Sequence, residues 1–439
     1  MKRVAIVEYM MSAGGVERVL RGLARALLEL PEAREWDITL LLARYNSAHR
    51  RCEWPTELTG PNLRVEWLGE HSAPSRFLDP LAHAQGVGGL GFTRIPGWVA
   101  ARALRKVGPR GWRAWLGDPG ALITAAASRF DLMYFTYPVV LSAPDVGIPV
   151  VSTPQDFNFK HFAGASSPLR RIHERATRSW LDRSARLLLS SGAVQQELLQ
   201  FYPEYADKAQ VVRLGIDAAG AAPAPDEIAR VRAARGLPPN FVLVAGWVIP
   251  HKNQLAVVEA VAALRARGHA LPIVFVGPNA TDLGDETDSV RRSPYASEVR
   301  TAMKRHGLVA GRDFHALGYV SDAELQCIYR LATVVAVPSL YEGFGLPGLE
   351  AMRAGCPVVY ASIPPLEEQN QLLGGIIRTF DPKEPNALAA QLEWILTHRA
   401  DATAAAEVAA RRVPEVYDWR KTARGYLDAF ERVLSAPRA

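Results

Sequence analysis

Glu342 and Glu350 stand eight residues apart in the stretch Pro338–Glu350 (PSLYEGFGLPGLE). A carboxylate accepts paired hydroxyl hydrogen bonds, so two of them suit a ligand with hydroxyls at both ends. Between them, Gly343, Phe344, Gly345 and Leu346 make a glycine-flanked turn whose backbone N–H groups can approach an anion closely. Lys252, in the stretch Gly246–Asn253 (GWVIPHKN), adds a point charge suited to phosphate. Hydroxyls on either side of phosphates are the layout of a nucleotide-sugar: sugar, diphosphate, ribose. The plainer alternative is a tight turn with one solvated glutamate, one glutamate favoured by a helix dipole and a surface lysine.

Each group needs an element to hold it. Thr333–Val337 is a short β-branched apolar run that reads as a buried parallel strand. Behind the turn, Pro347 suits a first helical turn and Gly355 a helix stop, with Pro357 beyond. Phe241–Ala245 is a second such strand, leading through the Lys252 loop into a helix over 254–267. Near the start, Val4–Val7 opens into Gly14-Gly15, and Val16, Val19, Leu20, Leu23, Leu27 and Leu30 then form one apolar stripe at helical spacing. Strand, double glycine and helix begin a Rossmann-like unit, but G-x-G-x-x-G is absent, which argues against a dinucleotide cofactor. Further strands are expected at 38–43, 63–68, 131–137, 149–153, 186–190, 211–214, 273–276, 314–319, 357–361 and 376–380, alternating with helices. That alternation predicts parallel sheets covered on both faces.

The chain has 439 residues, enough for two cores, and its 49% hydrophobic and 22% charged content fits a soluble globular protein. No apolar run reaches the roughly 18 residues of a spanning helix, and the first residues read as a strand rather than a signal peptide. Three cysteines without metal spacing predict reduced thiols and a cytoplasmic setting. The acidic stretch 282–288 lacks the full calcium-loop pattern, and no metal site is expected. A net charge of +6 favours anionic ligands or an anionic membrane surface without choosing between them, and nothing points to nucleic acid. The stretch 71–130 is the odd one, rich in arginine and carrying Trp98, Trp112 and Trp115. It reads as a helical insertion whose tryptophans pack on the domain, or as a peripheral contact with anionic lipid on the inner face of the membrane.

The stretch around Glu342 and Glu350 strongly resembles the E-x7-E motif of the retaining glycosyltransferase family 4. The resemblance implies an α/β GT-B fold: two Rossmann-like parallel-sheet domains facing a central cleft, with a C-terminal helix returning to the first. With a linker read at 217–238 from its shift to alanine, proline and glycine, the resemblance makes 1–216 the N-terminal acceptor-side domain, 239–415 the nucleotide-sugar-binding domain and 416–439 the returning helix. It assigns the donor sugar to Glu342, Gly343, Phe344, Gly345 and Leu346, and the ribose to Glu350. Lys252 becomes the diphosphate lysine, and Val320, in the segment Gly318–Ser321, meets the nucleobase through its backbone. Gly15 belongs to a loop that reaches towards the donor phosphate and the acceptor.

Two positions depart from the family pattern. Gln155 stands where many members carry a histidine that contacts the sugar, while the following Asp156 is kept; Trp247 replaces a usual arginine, leaving a phosphate contact missing or supplied by His251 or another basic residue. The resemblance also implies retention at the anomeric carbon, with Lys252, Glu342 and Asp156 as the catalytic set and neither metal nor cofactor. The donor would carry a mannose-, glucose- or rhamnose-like sugar, and the acceptor would be a hydroxyl of a glycan, a lipid-linked molecule or a small molecule, in polysaccharide or glycoconjugate synthesis. Two rival readings share the same pocket: a non-catalytic nucleotide-sugar-binding subunit of a glycan-assembly complex, and an enzyme that epimerises or hydrolyses a nucleotide-sugar.

Overall fold

The computed structural model describes residues 1–8, 15–43, 54–68, 119–136, 142–162, 167–216, 223–284, 293–384 and 386–437. Two compact units emerge: Met1–Ser190 with Val194–Gly215 and Trp419–Ala439, and Ser191–Ala193 with Ile216–Asp418.

The first unit is built on a seven-stranded sheet in the order β3-β2-β1-β4-β5-β6-β7. Its strands are β1 (Lys2–Glu8), β2 (Trp36–Ala43), β3 (Leu63–Leu68), β4 (Leu132–Phe135), β5 (Val150–Ser152), β6 (Arg186–Leu189) and β7 (Ala209–Val211). Every neighbouring pair is parallel. The apolar run Val4–Val7 lies at the sheet's centre and is completely buried, as a strand covered on both faces must be. The last strand sits at 209–211 rather than the expected 211–214, because the backbone pairs with Leu187–Leu189 two residues earlier.

The helix Trp419–Ser435 belongs to this first unit. Its buried face, with Trp419, Tyr426, Leu427 and Phe430, follows from spacings of three and four residues. Phe430 packs edge-on against Trp36 at 6.2 Å and lies 5.5 Å from the Tyr134 ring. Thr422 Oγ1 donates to the Arg213 carbonyl at 2.7 Å. Trp419 fills a notch made by Gly22 and Gly215, where an added Cβ would lie 2.2 Å and 2.5 Å from Trp419 atoms.

The second unit has a six-stranded sheet in the order β10-β9-β8-β11-β12-β13. Here β8 is Val242–Ala245, β9 Ile273–Val276, β10 Phe314–Gly318, β11 Val334–Val337, β12 Val358–Ala361 and β13 Arg378–Phe380. All pairs are again parallel.

The expected linker 217–238 contains a helix, Pro225–Arg235, which the second unit includes. Pro225 opens it, Asp226 and Glu227 occupy its first turn, and Gly236 ends it in the left-handed conformation. Arg235 pairs with Glu324 at 2.6 Å. None of its residues is fully buried, so no apolar stripe announced it. Residues 69–118, with the three tryptophans of the unusual stretch, lie outside the described residues, and the chain resumes in the helix Pro119–Ala126. Among the described residues no helix is long and apolar enough to cross a membrane. Cys327 and Cys356 are free and buried.

Candidate functional site

In the second sheet the strand order reverses between β8 and β11. Loops leaving two such strands at their carboxyl ends diverge and leave a crevice, where open α/β sheets bind ligands. The loop after β8 carries Lys252 and the loop after β11 carries Glu342, so the reversal sets them side by side. Backbone and side-chain bonds fix the pairing of the loops. Leu340 N–H donates to the His251 carbonyl at 2.8 Å. Asn253, left-handed at φ 53°, donates through Nδ2 to the Pro338 carbonyl at 3.1 Å.

Lys252 Nζ donates to both carboxylate oxygens of Glu342, at 2.6 Å to Oε1 and 2.7 Å to Oε2. Ser339 Oγ donates to the same Oε1 at 2.7 Å. Glu342 is only 8% exposed, so these hydrogen bonds keep a buried carboxylate satisfied. Gly345 adopts φ 92° and starts the helix Leu346–Arg353, whose free N–H groups carry positive partial charge. A side chain at Gly345 would meet Leu366 at 2.7 Å, so the loop lies close against the neighbouring helix, Pro364–Leu372. Gln369 in that helix donates Nε2 to the Phe344 carbonyl and accepts from Tyr360 Oη at 2.6 Å, fixing the turn from below. Glu350 lies one turn into the helix, buried, and its Oε2 accepts from Tyr329 Oη at 2.9 Å.

His251 is pushed down to about 4, first by burial and then by the neighbouring Lys252 charge, against the opposing pull of Glu342. It is therefore a neutral imidazole near pH 7 and offers a hydrogen bond rather than a second cation. Its folded pKa lies below the ordinary 6.5, so the unfolded chain takes up this proton first as pH falls. Its contribution to stability is complete above about pH 6.5 and shrinks as pH drops towards 4. Urea midpoints measured from pH 7 to 4.5 should show wild type losing more stability than His251→Gln; parallel curves would contradict this.

Trp247, in the same loop, is 43% exposed, and its carbonyl accepts from Gln254 Nε2 at 2.7 Å. Val320 follows β10 and is buried.

The remaining sequence candidates lie in the first unit. Gly15 is exposed at the start of the helix Gly15–Glu29. Gln155 follows β5 and donates Nε2 to the Thr136 carbonyl at 2.7 Å. Asp156 Oδ1 accepts from the Asn158 N–H at 3.1 Å, a local turn-forming bond. The first sheet reverses between β1 and β4, and there Glu8, 1% exposed, accepts from Thr136 Oγ1.

Sequence reasoning did not single out Ser339, Tyr329, Gln369 or the Glu8–Thr136 pair. Ser339 carried a faint signal, a hydroxyl three residues before a loop glutamate. Glu8 carried another, a charge ending an otherwise apolar strand. Tyr329 and Gln369 carried none, since their partners lie on other elements that only the folded chain brings near. Among the described residues no cluster of three His, Cys, Asp or Glu side chains could hold a metal ion.

Residues 226–412 match the family profile of the glycosyl transferases group 1. The chain is 31% identical over 266 residues to a D-inositol 3-phosphate glycosyltransferase of Kineococcus radiotolerans, covering 57% of each protein. To the protein of the same name from Salinispora arenicola it is 27% identical over 332 residues, covering 71% of this chain and 70% of the relative. Among solved structures, Anabaena Alr3699/HepE, determined in complex with UDP and glucose, superposes with a TM-score of 0.68 at 18% identity, covering 98% of this chain and all of the other. At that identity the likeness speaks for the two-sheet GT-B fold alone.

Proposed function

We propose, from the premise that this chain belongs through residues 226–412 to the glycosyl transferases group 1, that it moves a sugar from a nucleotide-diphospho-sugar to a hydroxyl acceptor. The observation that carries the reading is the Lys252–Glu342 pair at the β8/β11 reversal, followed at once by the N-terminus of the helix that carries Glu350. The activity of the relatives as glycosyltransferases supports it.

The diphosphate lies against Lys252 and the N–H groups of Gly345 and Leu346, Glu342 accepts hydroxyl hydrogen bonds from the sugar, and Glu350 accepts them from the ribose. As the bond between the anomeric carbon and the phosphate oxygen breaks, negative charge gathers on the departing diphosphate. Preorganised donors and a cation aimed at that charge stabilise the transition state more than the ground state. The acceptor oxygen bonds to the anomeric carbon and its proton passes to the leaving phosphate, on the face that gives retention. Charge neutralisation by lysine and backbone dipoles makes this a metal-independent route. Gly15, Gln155 and Asp156, in the first unit, keep the roles that the family resemblance implies. The sugar is glucose-, mannose- or rhamnose-like, and the acceptor is glycan, lipid-linked or small.

Thermal melts with UDP-, GDP-, ADP- and dTDP-sugars, without added metal, test the reading. One clear responder is expected, since ligand at a hundred times its Kd adds about 2.7 kcal/mol of stability. Glu350→Ala should lose most of that shift, because the ribose loses its carboxylate. Absence of any responder would overturn the nucleotide-sugar assignment.

A further inference from the structure

The Lys252–Glu342 pair poses a problem for the site just described, and its resolution deepens that reading and rests on it. Both oxygens of the sugar-side carboxylate are taken by the phosphate-side lysine, at 2.6 and 2.7 Å. The ammonium keeps a third N–H and the carboxylate further lone pairs, but their pairing offsets the charge that each would offer its ligand. His251 cannot relieve Lys252, because it is neutral near pH 7.

We propose that this pair is an exchange latch in which the diphosphate withdraws Lys252 and thereby opens Glu342 to the sugar, with Ser339 as the positioning residue that holds the opened carboxylate. A diphosphate carries more negative charge than one carboxylate and competes for the ammonium group. As Lys252 turns away, Oε2 loses its lysine donor while Oε1 keeps the hydroxyl of Ser339, itself 1% exposed. A carboxylate only 8% exposed then needs new donors, and sugar hydroxyls supply them. Free sugar alone must compete with the lysine for the carboxylate without offering that lysine another anion. Diphosphate and sugar therefore strengthen each other's binding, and by linkage the factor is the same in both directions.

The latch makes an opposite-sign prediction. Glu342→Gln removes the charge that holds Lys252, so it should tighten nucleoside diphosphate binding several-fold while abolishing sugar binding. A residue serving only to support the loop would weaken diphosphate binding when changed.

Calorimetry on the full chain would use UDP, GDP, ADP and dTDP, each alone and with glucose, mannose or rhamnose. For the nucleotide that binds, the matching monosaccharide should bind at least tenfold tighter in its presence than in its absence. The corresponding nucleoside monophosphate should give less. Ser339→Ala should lower kcat with little change in donor KM, and Ser339→Thr should restore it. Equal monosaccharide affinity with and without diphosphate, or weaker diphosphate binding in a folded Glu342→Gln, overturns the latch and leaves the nucleotide-sugar reading standing. If no nucleoside diphosphate binds wild-type protein, both fall together.

Discussion

Lys252→Ala should lower kcat about a hundredfold to a thousandfold, the usual cost of removing one preorganised electrostatic partner of a developing charge. Lys252 is the cation that faces Glu342 at the β8/β11 reversal, and the adjacent His251, pushed down to about 4, cannot stand in for it. The loss should fall chiefly on turnover, because the diphosphate becomes more negative as the sugar leaves than it was in the bound donor. Lys252→Arg is the informative companion: it keeps the charge but presents a planar fork in place of a point charge, so partial recovery is expected. The check is single-turnover transfer at saturating donor, with a melt to show that the variant folds. A kcat within threefold of wild type in Lys252→Ala would remove the lysine from the chemistry.

The second large effect is on stability. Phe430→Ala should cost the first unit about 3–5 kcal/mol, the usual range for deleting a buried phenylalanine side chain. Phe430 is 1% exposed and touches a cluster of Trp36, Tyr134 and Tyr426, with ring centroids 6.2, 5.5 and 6.3 Å away. No small neighbour can move in, because these rings are themselves buried and Tyr134 is tied through its hydroxyl to Thr153 at 2.7 Å. The measurement is the urea midpoint of the transition reported by the first unit's tryptophans. A loss under 1 kcal/mol would mean that the last helix is not part of that unit's core.

The same helix shows what a sequence makes legible. Trp419, Tyr426, Leu427 and Phe430 are spaced for one helical face, and that face is the buried one. Strands such as Ile273–Val276, flanked by turn residues, were equally plain for the same reason: their burial is written in residue type. The helix Pro225–Arg235 was hidden because it buries no residue completely, so neither period nor apolar content marks it in an alanine- and proline-rich stretch. In the site, Glu342, Glu350 and Lys252 stood out by charge and loop context. The distance between Lys252 and Glu342 did not, since it depends on which strands become neighbours, and local pattern does not determine sheet order. The hydroxyls of Ser339 and Tyr329 were invisible for a further reason: their partners are set by side-chain packing in three dimensions.

The reversal of strand order in the second sheet also bears on how the site comes into being. Lys252 and Glu342 are 90 residues apart in the chain, and they meet only when β11 pairs with β8. Closing a loop of that length costs about 4 kcal/mol of chain entropy on the (3/2)RT ln n scale, and no local turn can prepay it. The ion pair is thus a late, non-local product of folding, absent from any chain that ends before Val334. Ligand bound there stabilises the closure of the whole sheet rather than two loops, so hydrogen exchange should slow in β8 and β11 as much as in the loops that touch the ligand.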